Sequence, residues 1–312
     1  MAQSLPEIKH IYQNHHLDST RWEHYKPRGD DIVVATPYKC GTTWTQTIIL
    51  HLIFQDLQPR DLGAFSPWID MRLPPLDEMI NQLEAQEHRR CIKSHLPMDG
   101  IPYFPQVKYV VVGRDARDVF MSMWNHYSNY IPSIYADLNN SSGRVGDSFP
   151  NSPEDIREFW QKWISRGWFE WETEGYPFWS NLHHTQTWWN YRHLPNILFV
   201  HYNDLLQDLK SEIRRIADYL NIQISEALLA SVADAVKFSS MKQNAEQIVP
   251  NAHTIWKEGP QTFINKGTNG RWREVLTEDD LLLYEAAVAR ELTTECANWL
   301  ENGRFAMNNL SV

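Results

Sequence analysis

The sequence has few cysteines, no excess of basic residues and no long apolar run. Cys40, Cys91 and Cys296 are too few and too widely spaced for a disulfide framework or a CxxC metal site. The net charge of −10 argues against a general nucleic-acid binder, which needs a basic surface. The longest apolar stretch, 48–54, is interrupted by His51. We therefore expect no signal peptide and no membrane span, and a cytoplasmic protein.

Four short apolar runs alternate with helical stretches and predict the fold. The runs 31–35, 108–113 and 196–200 contain several β-branched residues, and 91–93 is a shorter candidate strand. Apolar strands separated by helices are typical of a parallel sheet covered on both faces. We expect a single α/β domain over residues 1–312, with a central, mostly parallel sheet flanked by helices.

The remaining segments are assigned more coarsely. Residues 131–153 are rich in Asn, Ser, Gly and Pro, which predicts a loop or lid, and 154–192 is expected to be an inserted helical segment. One helix after the last strand is predicted to end at Leu220. Thr277–Asp280 is predicted to cap a long helix that stops at Gly303.

Polar residues follow each predicted strand at its carboxyl end. Lys39–Thr43 follow the first strand, and the later strands are followed by Lys93–His95, Arg114 and Tyr202. In an open parallel sheet, ligands bind beyond the carboxyl ends of the strands. These four groups are therefore expected to face a common site.

The turn Lys39–Thr43 has the features of an anion site. Gly41 permits close approach of the backbone, the N–H groups at the helix start point toward an anion, and Lys39 adds a positive charge. An ordinary βα turn with a solvated lysine is the alternative. The patterns GxxxxGK[ST] and GxGxxG are absent here, which argues against ATP bound in the Walker manner and against a dinucleotide.

Four segments are together similar to the motifs of one enzyme family. Thr36–Trp44 resembles the Tyr-Pro-Lys-Ser-Gly-Thr-Thr-Trp signature of the cytosolic sulfotransferases, and Lys93–Pro97 resembles their Lys-Thr-His-Leu-Pro. Arg114–Ser122 is similar to their 3′-phosphate segment, and Lys266–Trp272 to their Lys-Gly-x-x-Gly-x-Trp. The resemblance implies a fold related to P-loop kinases. It also implies transfer of a sulfuryl group from 3′-phosphoadenosine 5′-phosphosulfate (PAPS) to a hydroxyl or amine of a small molecule.

The resemblance further implies catalytic roles. Lys39 would neutralise charge on the leaving oxygen of the product 3′,5′-bisphosphoadenosine (PAP), and Lys93 would lie beside the sulfuryl oxygens. His95 would remove the acceptor's proton, a role suited to a side chain with an ordinary pKa of about 6.5. Substrate contacts are expected at Trp68 and His95. PAPS is the expected donor, and no metal is expected to be required.

Donor binding is also carried over from the resemblance. Lys39–Thr43 would bind the 5′-phosphosulfate, Arg114 and Ser122 the 3′-phosphate, and Trp44 and Phe238 would enclose the adenine. The expected cofactor residues are Lys39, Cys40, Gly41, Thr42, Thr43, Trp44, Arg114, Ser122, Tyr202, Phe238, Asn265, Lys266 and Gly267.

The sequence departs from the family pattern near the donor site. Cys40 stands where the family has serine, and Val236 where it usually has threonine. Asn265 replaces an arginine that usually binds the 3′-phosphate, which removes a positive charge from the site. Arg271, where the family often has aspartate, is a candidate to restore that charge.

The segment through which many relatives of this kind dimerise is also altered. Its pattern is Lys-x-x-x-Thr-Val-x-x-x-Glu, and this chain has Arg273, Thr277, Glu278 and Leu282 at the defining positions. A two-fold contact needs both members of each pair, so the loss of the acid leaves Arg273 without a partner across the axis. We expect that this protein does not form the usual family dimer.

Several alternatives remain open at this stage. A second hypothesis is a nucleoside-phosphate kinase. A third is a non-catalytic module that binds 3′,5′-bisphosphoadenosine. The pairs His15–His16 and His183–His184 lack the spacing of a metal site. Tryptophans of the inserted segment fit either an acceptor pocket or the core, and these are Trp160, Trp163, Trp168 and Trp171.

Overall fold

A four-stranded sheet organises the chain. The computed structural model describes residues 4–308, and its strands are β1 (Ile32–Ala35), β2 (Cys91–Ser94), β3 (Lys108–Gly113) and β4 (Ile197–His201). The order across the sheet is β2–β1–β3–β4, and all three pairings are parallel. The predicted single α/β domain with a parallel sheet is confirmed.

Helices connect and cover the strands. The α-helices are α1 (Thr42–Phe54), α2 (Leu62–Phe65), α3 (Leu76–Glu84), α4 (Ala116–Ser128), α5 (Pro132–Asn140), α6 (Ile156–Ser165), α7 (Leu182–Trp189), α8 (Tyr202–Gln207), α9 (Leu209–Tyr219), α10 (Glu226–Ala235), α11 (Phe238–Gln243), α12 (Ala245–Ile248), α13 (Pro260–Phe263), α14 (Glu278–Glu291), α15 (Thr294–Asn302) and α16 (Arg304–Asn308). Three short 3-10 helices span Ser19–His24, Pro250–Thr254 and Arg271–Glu274.

Strand β1 is buried on both faces because its side chains alternate between two hydrophobic cores. Ile32 and Val34 belong to a core that also contains Ile48 of α1. Val33 and Ala35 belong to a second, aromatic-rich core on the other face of the sheet. This period of two explains why a run of four apolar residues forms a central strand.

The parallel register brings the carboxyl ends of the strands to one edge. Ala35 at the end of β1 pairs with Ser94 at the end of β2, and Gly113 at the end of β3 pairs with His201 at the end of β4. The residues that follow each strand therefore emerge on the same side of the sheet, as the sequence predicts.

Three predictions of secondary structure are wrong in detail. The segment predicted as a loop, 131–153, contains helix α5. The helix predicted to end at Leu220 is broken at Asp208, whose side chain accepts a hydrogen bond from the Ser211 N–H and caps α9. The long C-terminal helix is broken at Leu292–Thr293, where Thr293 caps α15. Side-chain caps compete locally with helix continuation.

The inserted segment 154–192 is only partly helical. It contains α6 and α7, joined by an irregular stretch of turns and bends between residues 166 and 181. Among residues 4–308, no helix is long and apolar enough to cross a membrane.

Candidate functional site

A cleft of about 800 Å³ opens beyond the carboxyl ends of the strands. It is lined by residues from widely separated parts of the chain, beginning at His16 and ending at Arg271. The structure brings nearly all sequence-predicted site residues into this one cleft. These are Lys39, Gly41, Thr42, Thr43, Trp44, Trp68, Lys93, His95, Arg114, Ser122, Tyr202, Phe238, Asn265, Lys266 and Gly267.

Cys40 is the predicted cofactor residue whose side chain does not line the cleft. Its thiol is fully buried and lies 3.5 Å from Nδ2 of Asn181. Burial raises the pKa of Cys40 to about 12, so the thiol is neutral. Cys40 can therefore bind an anion only through its backbone N–H. Its side chain does not replace the hydroxyl of the serine that the family has at this position.

The turn after β1 has the backbone geometry of an anion site. Lys39 has φ 61° and Gly41 has φ 108°, so both lie in the left-handed region. Gly41 is the N-cap of the 13-residue helix α1, and no side chain caps its free N–H groups. A Cβ on Gly41 would lie 3.0 Å from the ring of Tyr202, so glycine allows that ring to close on the turn. Free amides and the helix dipole together favour a bound anion.

Two half-buried lysines meet here, Lys39 in the turn itself and Lys93 in β2. The Nζ of Lys39 lies 4.3 Å from the ring centre of Phe263, and the Nζ of Lys93 lies 4.1 Å from that of Trp68. Burial lowers the pKa of Lys39 to about 7, assisted by Lys93 and Arg114. Burial likewise lowers the pKa of Lys93 to about 8. Within residues 4–308, neither amine forms an ion pair, so the two cations are matched to an anionic ligand.

His95 is held neutral, with one ring nitrogen unprotonated. Its Nδ1 lies 2.7 Å from the carbonyl oxygen of Thr36, which can only accept, so Nδ1 carries the proton. No hydrogen bond within the described range engages Nε2, whose lone pair remains free in the cleft. Burial and the nearby charge of Lys93 hold the pKa of His95 well below its ordinary value. The ring is therefore uncharged, as a proton acceptor must be.

Asp70 positions this part of the site and was missed by the sequence analysis. Its carboxylate accepts the backbone N–H of His95 at 3.0 Å and the indole N–H of Trp68 at 2.7 Å. It also accepts the indole N–H of Trp22 at 3.2 Å. Asp70 is fully buried, and burial raises its pKa. The available signal was an acidic residue two positions after Trp68 in an otherwise apolar segment.

Arg114 is held in place by contacts within the protein. Its guanidinium packs 4.0 Å from the ring centre of Tyr202 and donates to Oδ1 of Asn269 and to the carbonyl of Thr268. The same loop is held by Asp118, whose carboxylate accepts the N–H of Gly270 at 2.6 Å. Asn269 and Asp118 were not singled out from the sequence, although both lie in segments that it identified.

The aromatic residues expected at the adenine form one wall of the cleft. Trp44 meets Tyr202 edge to face at 5.3 Å between ring centres. Phe238 is 39% exposed, and a Cβ on Gly267 would lie 2.4 Å from its ring. Gly267, with φ 66°, thus allows the loop to close over Phe238.

The other end of the cleft is apolar. Its lining includes Tyr38, Trp68, Ile134, Trp256 and Phe263. None of the four tryptophans that the sequence offered as pocket candidates lines it. Trp160 and Trp163 are buried in the core, whereas Trp168 packs on His15 and Trp171 on His10.

The paired histidines occupy different surroundings. His183 bonds to Asp99, and His184 is buried without a hydrogen-bond partner among the described residues. His15 and His16 bond to each other through their Nδ1 atoms. In the part of the chain that the structure describes, no three His, Cys, Asp or Glu residues are grouped as a metal site.

Comparison with known proteins matches most of the chain to one family. The model of the sulfotransferase domain matches residues 29–294. A glycolipid sulfotransferase of Mycobacterium bovis BCG is 30% identical over 317 residues, covering 94% of both chains. A glycolipid sulfotransferase of Mycobacterium tuberculosis H37Ra is 31% identical with the same coverage. Sulfotransferase 1A1 of Rattus norvegicus is 27% identical over 85% of both chains.

Solved structures share the fold at lower identity. Retinol dehydratase in complex with androsterone and the inactive cofactor PAP superposes with a TM-score of 0.68 at 23% identity, over 88% of this chain and 84% of that one. Mouse sulfotransferase SULT7A1 complexed with PAP superposes with a TM-score of 0.69 at 18% identity, over 92% and 94%.

Proposed function

This chain belongs to the sulfotransferase family. From that premise we propose that it moves a sulfuryl group from PAPS to a hydroxyl or amine of a small molecule, and that His95 is the general base. The observation that carries the role of His95 is its geometry. The Thr36 carbonyl accepts the Nδ1 proton. Nε2 lies in a cleft with two lysines that form no ion pair among the described residues.

The donor site is the end of the cleft formed by the turn after β1 and by Arg114. The free N–H groups of α1 and the amine of Lys39 would bind the 5′-phosphosulfate. Arg114 and Ser122 would bind the 3′-phosphate, between Trp44 and Phe238 that enclose the adenine. When bound, PAPS supplies an activated sulfuryl group with a good leaving group. PAP-bound structures of the same fold support this assignment.

The protein's own residues would then promote an in-line transfer. Nε2 of His95 accepts the proton of the acceptor hydroxyl or amine as the new S–O or S–N bond forms. Lys39 offsets charge that develops on the leaving oxygen, and Lys93 offsets charge on the sulfuryl oxygens. An anionic donor also offsets the repulsion that Lys93 exerts on protonated His95, which raises the pKa of His95 toward neutrality.

The acceptor end favours a molecule with an apolar body. The ring centres of Tyr38 and Trp68 each lie 4.7 Å from that of His95, and Trp256 lines the same cleft. Burial against these rings would stabilise an apolar group. The mycobacterial relatives are named glycolipid sulfotransferases, which supports an acceptor that combines apolar and hydroxylated parts.

A cytoplasmic location is part of this proposal. The resemblance to cytosolic sulfotransferases supports it. Cys40, Cys91 and Cys296 are all free and buried, as is common for proteins of a reducing compartment.

The test is turnover with PAPS and a panel of phenols, alcohols and amines, with sulfated product and PAP measured by mass spectrometry. His95→Ala is expected to lower turnover about 10²–10⁴-fold while PAP affinity is unchanged. His193→Ala, which removes an exposed histidine, is the matched control. Near-normal turnover of His95→Ala would remove His95 from the mechanism. Magnesium-dependent ATP turnover would favour the kinase alternative, and PAP binding without any turnover would favour the binding module.

A further inference from the structure

His16 contributes a polar atom to the apolar end of the cleft that the transfer mechanism does not use. The residue is 3% exposed and lines the cleft, where its ring packs among Phe149, Phe178 and Trp179. Its backbone is fixed, since its N–H donates to Oδ1 of Asn14 at 2.8 Å and its carbonyl accepts the N–H of Arg72 at 2.7 Å. The ring is thus an ordered part of the acceptor pocket.

The protonation of His16 follows from its neighbours. The Nε2 of His15 lies 2.9 Å from the carbonyl oxygen of Pro177, which can only accept, so this nitrogen carries a proton. In neutral His15, Nδ1 is then an acceptor. Nδ1 of His16 bonds to it and must therefore be the donor. Neutral His16 consequently has an unprotonated Nε2, and no residue in the range 4–308 bonds to that atom.

Both rings are neutral because of their surroundings. Burial lowers the pKa of His16 to about 3, with a further contribution from Arg72. The pKa of His15 is also held well below its ordinary value, first by burial. The free nitrogen of His16 is therefore a hydrogen-bond acceptor over the whole physiological pH range.

His16 and His95 face the same aromatic residue. The ring centre of Trp179 is 6.0 Å from that of His16 and 5.8 Å from that of His95. Both histidines also line the same cleft, so an acceptor whose reacting group lies at His95 can extend to His16. Nε2 of His16 has no hydrogen-bond partner among the described residues, and a matching donor on the substrate would supply one.

We propose that Nε2 of His16 accepts a hydrogen bond from a second hydroxyl or amine of the acceptor, and so selects apolar molecules that carry two hydrogen-bond donors. This inference rests on the proposed sulfuryl transfer, because it assigns the reacting group to His95. His16 acts on specificity, and His15 is a positioning residue that fixes which nitrogen of His16 is unprotonated.

Matched acceptor pairs test the proposal. We suggest 2,6-dihydroxynaphthalene with 6-methoxy-2-naphthol, and 4,4′-biphenol with its monomethyl ether, which differ only in the second donor. The wild type in complex with PAP is expected to bind at least one diol about three- to tenfold more tightly than its ether, measured by calorimetry. The ratio of kcat/KM values should show the same preference.

Variants separate recognition from structure. His16→Phe keeps an aromatic ring but has no hydrogen-bond acceptor, so it should abolish the preference for the diol. His16→Gln, whose amide oxygen can accept, should retain part of the preference. His15→Phe does not alter the cleft lining, yet it frees His16 to protonate Nε2, which can then donate to an ether oxygen. The preference for the diol should therefore shrink or reverse.

Several results would overturn the proposal. One is a wild type that does not discriminate within either pair, or that binds neither member. Another is a preference for the diol that persists in His16→Phe. A binding preference without sulfated product from the wild type would instead contradict sulfuryl transfer and leave the role of His16 in binding supported.

Discussion

The guanidinium of Arg114 donates twice to the side-chain oxygen of Asn269, from Nε at 3.0 Å and from Nη2 at 2.6 Å. The two residues are 155 positions apart in the sequence. The contact orients Arg114 on the face of Tyr202, while Nη1 makes only a long contact of 3.4 Å with the carbonyl of Lys39. One edge of the guanidinium is therefore fixed by the protein and the other is available to a phosphate.

This arrangement predicts unequal effects of two substitutions on PAP affinity. Arg114→Ala removes a charge-assisted contact and is expected to weaken binding about 10- to 100-fold. Asn269→Ala removes only the orientation of Arg114, for an expected loss of about two- to tenfold. Calorimetry with PAP measures both, and Asn302→Ala, an exposed position, is the control. Equal losses of PAP affinity in the two variants would show that Asn269 does more than orient Arg114.

Proton uptake on donor binding is the second prediction. In the free protein the pKa of Lys39 is about 7, so its amine is largely neutral at pH 8. An anionic ligand favours the charged form and raises that pKa, so PAP binding should take up protons and weaken as pH rises from 7 to 9. Calorimetry at pH 8 in phosphate and Tris buffers, which differ in ionisation enthalpy, measures the uptake. It should fall in Lys39→Ala, and an unchanged uptake would assign the proton elsewhere.

Lys39 is also expected to act more on the transition state than on binding. Because its charge opposes charge that develops on the leaving oxygen, Lys39→Ala should lower kcat by a larger factor than it weakens donor affinity. Steady-state kinetics compared with PAP affinity provide the two factors. A loss of affinity at unchanged kcat would make Lys39 a phosphate anchor only.

The fourth prediction concerns the missing arginine at position 265. Arg271 lines the cleft close to Arg114, and its Nε has no hydrogen-bond partner among the described residues. Arg271→Ala should weaken PAP binding about tenfold, and Asn265→Arg in that background should restore it. Adenosine 5′-monophosphate, which lacks the 3′-phosphate, is the control ligand, since neither substitution should change its affinity. Unaltered PAP affinity in Arg271→Ala would leave the 3′-phosphate to Arg114 and Ser122.

The family dimer is the subject of the last prediction. Thr277 is the N-cap of α14, in a reciprocal capping box with Asp280, and it also accepts from Arg157 at 3.1 Å. Glu278 and Leu282 are exposed on the same helix start. Because Thr277 is committed to the cap and Glu278 would meet its own copy across a two-fold axis, light scattering should not detect a dimer through this segment. A dimer that is lost on mutation of Thr277 alone would contradict this, and Glu278→Val tests the role of charge.

The sheet and most of the cleft could be predicted because their signals are local. The β-branched run Ile32-Val33-Val34 favours a strand, and the polar residues after each strand end must share one edge of a parallel sheet. Helix α5 also had a local signal within its Asn- and Ser-rich segment. Pro132 stands at its first turn, and Ile134 and Leu138 are buried at a spacing of four.

The features that the sequence did not predict depend on distant contacts. The role of Asn269 requires Arg114, and the tautomer of His16 requires the Pro177 carbonyl, 162 positions from His15. Cys40 lies within a site motif, yet its thiol packs against Asn181 in the protein interior and not in the cleft. Such pairings arise only when the chain is packed, so no local pattern encodes them.

The left-handed backbone at Lys39 has a consequence for the evolution of this protein. A non-glycine residue in that region costs on the order of 1 kcal/mol, which glycine would avoid. The position proposed to offset charge on the leaving oxygen is therefore one where selection for thermal stability alone would favour glycine. Screening for heat resistance alone, without a test of activity, should therefore accumulate Lys39→Gly. This variant is expected to be more heat-resistant and to have lost sulfuryl-transfer activity.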